Sequence, residues 1–501
     1  MPLSKPYPPT EISYTDWNDL ADNYAGKAAT ILVDASGKGD YQTIQEAVDA
    51  LPTGGEIVVA EGEYTLTRSV TLDSLEDIVI RGMGKATRLK VADKVQKSIA
   101  SDASAGQRNV TVIDGSAFQA GQHVCVRDAT HWEVNRVESV AGDTLTVENP
   151  LANTYEVSDA GRVYTCHSAI YVTGSSKRIR VTNLLIEGNR ANQEFGRTGY
   201  YPLEHQGDGI RVSATCEGVL IDHLWVKSAI AHGICLGGAG HRVIGCECWD
   251  NGYDGINAES SCDEILIANN YSHDQVSWNG VQFGYNTNPT GSCLITGNVL
   301  ENNYQGVAAQ GGSNVQIVGN TIKNSRFDGI ELYSIDRFLV EGNLITGDPD
   351  LSDMTNEGIH VEQGCSIGTI TGNLIEQCAG DGVYVENGAY IAVTGNTIRR
   401  VVKHGVKFAE TNGRDSTVTG NVIVDCDCLD SETYSGVVVL GDRIALVGNR
   451  IDNCDEYAIH IISTANKCLV LGNQCTVYAG TSLGVIQDDG VDTVVEHNVV
   501  T

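Results

Sequence analysis

The chain has 501 residues, of which 33 are Lys or Arg and 64 are Asp or Glu, giving a formal net charge of −31. As a whole it repels DNA and acidic membranes, so neither a nucleic-acid nor a membrane partner is expected, and a polyanionic partner is disfavoured unless Arg, Lys or a metal gathers locally. Its 15 Cys are odd in number and follow no secretory signal, which gives no disulfide framework.

Residues 1–28 read as an aromatic, proline-containing arm. The start, MPLSKPYPPTEISYTDW, lacks a positive region followed by an apolar run, and no stretch reaches transmembrane length. No classical signal peptide is therefore expected. Extracellular action would come through virion assembly or release, and the alternative is a cytoplasmic protein. Residues 29–98 read as an N-terminal cap and first coils: a strand, a short helix with Ile44, Ala47, Val48 and Leu51 on one side, and a second strand from Glu56. Such a helix would hide the uppermost layer of an open stack. Residues 99–165 read as a β-rich insert or irregular coils, with β-hairpin patterning in VTVIDGSAFQAGQHVCVRD and VESVAGDTLTVENPL.

Residues 166–501 are the regular part. One phrase recurs there about thirteen times at a spacing near 25 residues, first as hydrophobic-x-hydrophobic-x-Gly-Asn-x-Ile and then as polar-Gly-Ile/Val-x-Val. The register is held on one column: Asn183, His223, Cys246, Asn270, Asn298, Asn320, Asn343, Asn373, Asn396, Asn421, Asn449, Asn473 and Asn498. Period-two runs separated by Gly, Asn and Asp leave no room for a helix in each unit. The Leu spacing of leucine-rich repeats is absent, and a propeller blade needs about 40 residues. The expected fold is all-β, a right-handed parallel β-helix (solenoid) with a short N-terminal capping helix, which grows by adding coils and so accommodates this length in one body. Asn at an inward turn would bond to its neighbours and to backbone groups. Most Cys occupy repeat positions as small buried residues. Cys246-Glu247-Cys248 and Cys426-Asp427-Cys428 lack zinc-site spacing, and no metal ligands are assigned. The chain stops at VVEHNVVT in repeat rhythm, so the expected cover for that edge is self-association, with a homotrimer as the guess, a removed tail or an exposed polar end.

The block TIQEAVDALPTGG with GEY, followed by Gly-Asn and Asp-Gly-Ile repeats, resembles the pectate-lyase-like superfamily of right-handed β-helices. That superfamily includes polysaccharide lyases, glycoside hydrolases, mannuronan C5-epimerases and phage tailspike depolymerases. The resemblance implies a polysaccharide or oligosaccharide partner. Asp254-Gly255-Ile256-Asn257-Ala258-Glu259 looks like the Asp-Gly-Phe-Val-Ala-Asp segment of alginate epimerases, which implies a catalytic role for Glu259. The preceding coil carries His232-Gly233-Ile234-Cys235-Leu236-Gly237 where those enzymes have Tyr-Gly-Phe-Asp-Pro-His. Gly207-Asp208-Gly209-Ile210 and His232-Gly233-Ile234 are similar to fragments of polygalacturonase-like hydrolases, without their paired aspartates and Arg-x-Lys in order.

Three columns can be read along the coils. Before the repeated glycine stand Asp208, His232, Asp254, Asn279, Gln305, Asp328, Glu357, Asp381 and His404. Three residues on are Arg211, Cys235, Asn257, Gln282, Ala308, Glu331, His360, Tyr384 and Lys407, and two further on are Ser213, Gly237, Glu259, Gly284, Gln310, Tyr333, Glu362 and Glu386. Period two places the last two columns outward on one face. One residue before the first column, Tyr253, Trp278, Tyr304 and Phe327 would stack at coil spacing and suit sugar rings. A glycoside hydrolase needs a protonated carboxyl and a carboxylate about 5 Å or about 6.5–9.5 Å apart, a separation that adjoining coils supply. Asp328 and Glu331 are the central candidates, Glu357 the third, and Asp254 and Glu259, with His273 and Asp274, a second cluster. Gln282, Gln305, Arg326, Tyr333 and His360 are the further substrate-binding candidates. A lyase or C5-epimerase is the alternative, and a non-enzymatic carbohydrate-binding or virion spike protein is another. No cofactor is required for hydrolysis, while Ca²⁺ held by Asp348, Asp350 and Asp353 would serve a lyase.

Overall fold

The computed structural model describes residues 30–51, 54–193, 207–285, 291–347, 357–409, 413–428, 433–477 and 485–501. The arm at 1–28 and the acidic loop with Asp348, Asp350 and Asp353 lie outside them.

Each regular coil supplies three short strands, as in Ile256–Ala258, Ile265–Ala268 and Tyr271–His273. They pair in parallel with the next coil, Ile256 with Val281, Ile265 with Cys293 and Tyr271 with Val299. The first strands stack into a 14-stranded sheet. The second and third form two more stacks, merged into a 29-stranded sheet because Ile78–Val91 and Arg180–Glu187 run through both. The inward positions of the strands form one continuous core from Val33 to Cys475, each buried Val, Leu or Ile adding about 1.5–3 kcal/mol. All 15 thiols are free and only Cys428 is not buried.

The repeated glycine is a packing requirement. A Cβ on Gly329 would sit 2.6 Å from the Gly358 carbonyl oxygen and 2.6 Å from Ile345 Cγ2, and Gly382 and Gly405 are equally confined. At the other end of the repeat the glycine of Gly-Asn holds φ near +65°, as at Gly319 and Gly395, a region that favours glycine. The asparagine after it builds a ladder. Asn343 donates its N–H (2.9 Å) and Nδ2 (3.0 Å) to Asn373 Oδ1, and Nδ2 also donates to the Ile317 carbonyl at 2.9 Å. The same pattern runs from Asn270 to Asn498.

Two members of the predicted column are corrected. Pairing of Thr182 with Asp222 and of Asp222 with Ile244 aligns Asn183 and His223 with Gly245, one place before Cys246. Both have positive φ, 58° and 52°, and so take the glycine position of the turn, while Leu184 and Leu224 fill the ladder position and are buried.

The capping helix is Ile44–Asp49. Thr43 accepts from the Glu46 N–H and the Glu46 side chain accepts from the Thr43 N–H, a reciprocal cap that fixes the entry of so short a helix. Ile44, Ala47, Val48 and Leu51 are buried against the first coils. Between the coil strands Ile78–Val91 and Ile170–Thr173, the strands Gln96–Ser98, Asn109–Thr111, His123–Arg127, Trp132–Ala141, Thr144–Val147 and Arg162–Thr165 form a six-stranded antiparallel sheet with its own apolar core. Among the described residues no helix is long and apolar enough to cross a membrane.

Candidate functional site

The second column lies in register along the 14-stranded sheet: Arg211, Cys235, Asn257, Gln282, Ala308, Glu331, His360, Tyr384 and Lys407 pair successively. In the third, Gln310 pairs with Tyr333. The first column has a structural duty that its polar character did not announce. Asp208, Asp254, Asp328 and Asp381 each accept the backbone N–H of the next member, His232 (3.0 Å), Asn279 (2.8 Å), Glu357 (3.2 Å) and His404 (2.8 Å). One carboxylate oxygen of each aspartate therefore ties coil to coil, leaving the other for side chains.

Two polar clusters result. In the first, Arg211 is only 6% exposed. Its Nη2 donates to Glu259 Oε1 at 2.7 Å, and its Nη1 donates to Cys235 Sγ at 3.0 Å and lies 3.7 Å from Asp208 Oδ2. Burial works against the guanidinium charge, but Cys235, Asp208 and Glu259 outweigh it, and Arg211 stays firmly protonated. Burial raises Asp208, opposed by His232 and Arg211. His232 Nδ1 is 3.1 Å from Asp254 Oδ2; burial opposes its charge, yet Asp254 and Asp208 raise its pKa on balance. Asp254 and Glu259 thus belong to a neutralised network. His273 and Asp274 do not join it. They lie at Tyr271–His273 in the other sheet, where His273 stacks on Tyr271 at 4.1 Å and Asp274 accepts from His273 and Asn302.

The second cluster brings together Gln305, Asp328, Glu331, Glu357 and His360. It adds Gln310, Glu362, Glu386 and Lys403, which were not among the assigned site residues. Lys403 was visible as the member of the aromatic column three coils beyond Phe327. Glu331 accepts from Nε2 of Gln305 and, at 3.2 Å, from Nε2 of Gln310. His360 Nδ1 is 3.3 Å from Asp328 Oδ2 and 3.5 Å from Glu362 Oε1, and its Nε2 is 3.5 Å from Glu386 Oε2. Its ring stacks on Tyr384 at 4.9 Å, and Lys407 lies over the Tyr384 ring at 4.6 Å. Lys403 Nζ is 3.7 Å from Glu357 Oε1.

Asp328 and Glu357 share a hydrogen bond. Burial, with Glu331 adding to it, pushes Asp328 up to about 8. Burial, then the bond to Asp328 and its charge, pushes Glu357 up to about 7 despite Lys403. Glu362 is raised by burial and by Glu331. The pair therefore keeps a proton near neutrality. Asp328 is wholly buried, whereas Glu357 and Glu331 retain 8% and 7% exposure, so of these three Glu357 and Glu331 reach the surface, while Glu362 and Glu386 at the rim are more exposed still. Asp328, Glu357 and His360 also have ligand atoms within 4.8 Å of one another, as do Asp208, His232 and Cys235. The first set, two carboxylates and an imidazole, suits a hard or borderline divalent cation. In the second set Arg211 already bonds to Cys235, and its positive charge opposes a metal.

The aromatic column runs beside these clusters. Trp278 meets Tyr304 edge-on at 5.6 Å, Tyr304 and Phe327 stack at 5.3 Å, and Tyr253 packs edge-on to His232 at 5.7 Å. Trp278, Tyr304 and Phe327 are half-buried, so parts of the rings face outward. Arg326 is occupied with the carbonyls of Gln275 (3.0 Å) and Val276 (3.2 Å), and Gln282 with Asn279 (2.7 Å) and the Gly284 carbonyl (2.6 Å). Both serve the scaffold first. Tyr333 stands in the third column next to Gln310, beside a cleft.

Parallel coils with a polar face on the 14-stranded sheet define a solenoid of the right-handed β-helix class. The chain belongs to the family described as the right handed beta helix region, which it matches over residues 107–322, 208–367 and 305–475. No curated protein matches it. Among solved structures it is similar to the pre-mature bacteriophage phi29 gene product 12, at 12% identity and a TM-score of 0.50 over 93% of this chain and 67% of that one. It is also similar to the Pseudomonas phage phi297 tailspike gp61 (14%, TM-score 0.38, 95% and 78%). A third is the Azotobacter vinelandii mannuronan C-5 epimerase AlgE4 A-module (13%, TM-score 0.42, 76% and 90%). At these identities the likeness is one of fold.

Proposed function

We propose that the protein is a polysaccharide-active enzyme that hydrolyses glycosidic bonds at the second cluster. The arrangement that carries this reading is the buried Asp328 and Glu357 pair, joined through the Glu357 N–H and with both carboxyls pushed up by burial, beside a second carboxylate, Glu331, that reaches the surface. Glu357 acts as the general acid, since burial and Asp328 keep its proton near neutral pH. Glu331, oriented by Gln305 and Gln310, activates water or attacks the anomeric carbon. Asp328 is a positioning residue: it is sealed from substrate and holds Glu357 by its N–H and its carboxyl. Trp278, Tyr304 and Phe327 offer ring faces to the sugar chain. The resemblance to pectate-lyase-like proteins in the sequence motifs supports a polysaccharide partner.

A second reading follows from the Asp328, Glu357 and His360 donor set. A divalent cation held there would neutralise a uronate for lyase or epimerase chemistry. One experiment separates the two. Neutral and acidic polysaccharides are assayed in parallel for new reducing ends, for the ultraviolet absorbance of unsaturated products and for epimerised residues, with and without EDTA. Hydrolysis yields reducing ends alone, unaffected by EDTA. Activity retained by both Glu357→Gln and Glu331→Gln removes the site.

A further inference from the structure

One residue beyond Glu362 and Glu386, where the 14-stranded sheet turns toward the next face, the surface opens into a cavity of about 450 Å³. Tyr333, Ser334, Gln363, Asn387 and Arg414 supply its polar wall. Its volume lies in the range of ligand pockets, about 300–1,000 Å³. Tyr333 is itself a member of the third column, paired with Gln310, and Gln363 and Asn387 follow its members Glu362 and Glu386 in the chain, so the cavity adjoins the acidic cluster.

Arg414 is the unusual member. Its main chain is anchored, the N–H donating to the Gly388 carbonyl at 3.2 Å and the carbonyl accepting from Ser416 Oγ at 2.8 Å. Its side chain is about half exposed, and the neighbouring carboxylate is engaged chiefly by another arginine. Asp415 Oδ1 and Oδ2 accept from Arg443 Nε (2.5 Å) and Nη2 (2.8 Å), which leaves Arg414 Nε 3.9 Å from Oδ2. Among the described residues that is its only ionic contact. In a chain of net charge −31, a guanidinium at a cavity wall with its fork uncommitted is matched to a planar anion, because Arg binds carboxylates through two parallel N–H bonds. The Tyr333 ring and the amides of Gln363 and Asn387 are the partners a pyranose ring and its hydroxyls require.

We propose that this cavity is a subsite for an acidic sugar, whose carboxylate pairs with Arg414 while its ring lies against Tyr333. The proposal rests on the reading of the adjoining face as a polysaccharide groove and narrows its substrate to chains carrying uronate units.

The test is an array of uronate-containing oligosaccharides printed beside their carboxyl-reduced counterparts, probed with the full chain, Arg414→Ala and Arg414→Lys. The wild type is expected to bind carboxylated chains over the reduced ones. Arg414→Ala should weaken that binding at least about tenfold, and Arg414→Lys should restore it in part. Capture of reduced and carboxylated chains alike, unchanged binding by Arg414→Ala, or no capture of any uronate chain overturns the subsite. Acidic chains bound through Arg414 but never cleaved would instead remove the hydrolytic reading and leave the subsite standing. Because Arg414 is exposed, an unchanged melting temperature of the Ala variant verifies that the fold is intact.

Discussion

Replacing Asp328 by Asn tests the electrostatics on which the proposed site depends. The amide is isosteric, and its Oδ1 can still accept the Glu357 N–H that Asp328 accepts at 3.2 Å, so the coil-to-coil tie survives. What changes is the ionisation. The folded protein holds the Asp328 proton up to about 8, whereas an ordinary aspartate releases it at 3.8. Between those values the folded state binds more protons than the unfolded one, so stability is greatest below the lower value and declines as pH rises to the upper. About four pH units at about 1.4 kcal/mol each cap the effect at about 6 kcal/mol, and water entry on ionisation reduces it to several. Thermal melts in EDTA at about pH 5 and about pH 9 measure it. The wild type is expected to lose far more stability across that interval than Asp328→Asn, and the variant should be the more stable of the two at the alkaline end. Parallel pH dependences of the two proteins would falsify the buried-proton account.

Glu357→Gln keeps the side chain's size but removes its transferable proton; kcat should fall about 10²–10⁴-fold, the usual worth of general acid catalysis, with an unchanged circular dichroism spectrum. Asn343→Ala strands the Asn320 N–H and Nδ2, which donate to Asn343 Oδ1 at 2.9 and 3.0 Å. At about 1–3 kcal/mol for each stranded donor it should cost about 2–6 kcal/mol in denaturant titration, and a loss under 1 kcal/mol would refute the ladder's energetic role. Arg211→Met leaves Asp208 buried without its guanidinium and should cost about 3–5 kcal/mol, read as a fall in melting temperature.

The columns were legible because the repeated glycine cannot be replaced. A Cβ at Gly329 or Gly382 would collide with the next coil's carbonyl, so one position per turn is marked in the sequence, and counting from it gives the register from Arg211 to Lys407. Where the second mark, the left-handed glycine of Gly-Asn, is missing the register slips. Asn183 and His223 occupy the left-handed turn position that later coils fill with glycine, and their polar side chains imitate the ladder residue that follows. Depth was not legible either. Period two assigns a face to Asp328 but cannot show that the side chain is sealed, because sealing depends on Glu357, His360 and Gln305 from other coils. The same limit hid the ties by which the first-column aspartates hold the next coil's N–H. The capping helix, by contrast, is local, and Thr43 with Glu46 and the apolar side of Ile44, Ala47, Val48 and Leu51 made it readable directly.

The two clusters occupy the same sheet and use the same first-column aspartate, yet their chemistry diverges at one register position. Arg211 and Glu331 stand in the same column, five coils apart. With arginine there, the guanidinium satisfies Asp208, Cys235 and Glu259 together, and the acids around it have a permanent counter-charge. With glutamate there, the column adds negative charge to Asp328, Glu357, Glu362 and Glu386, while the cations within reach are Lys403 and Lys407 at its margins. Burial cannot tolerate that many unpaired carboxylates, so the cluster must retain protons or draw in a cation. Retained protons near neutrality are what glycosidic bond cleavage requires, and a drawn-in cation is what uronate chemistry requires. Glu259, the carboxylate that matches the epimerase motif in sequence, is held by Arg211 in the quenched cluster. On the proposed hydrolytic reading, the reactive position follows the charge of the second column, and the motif resemblance points one cluster away from it.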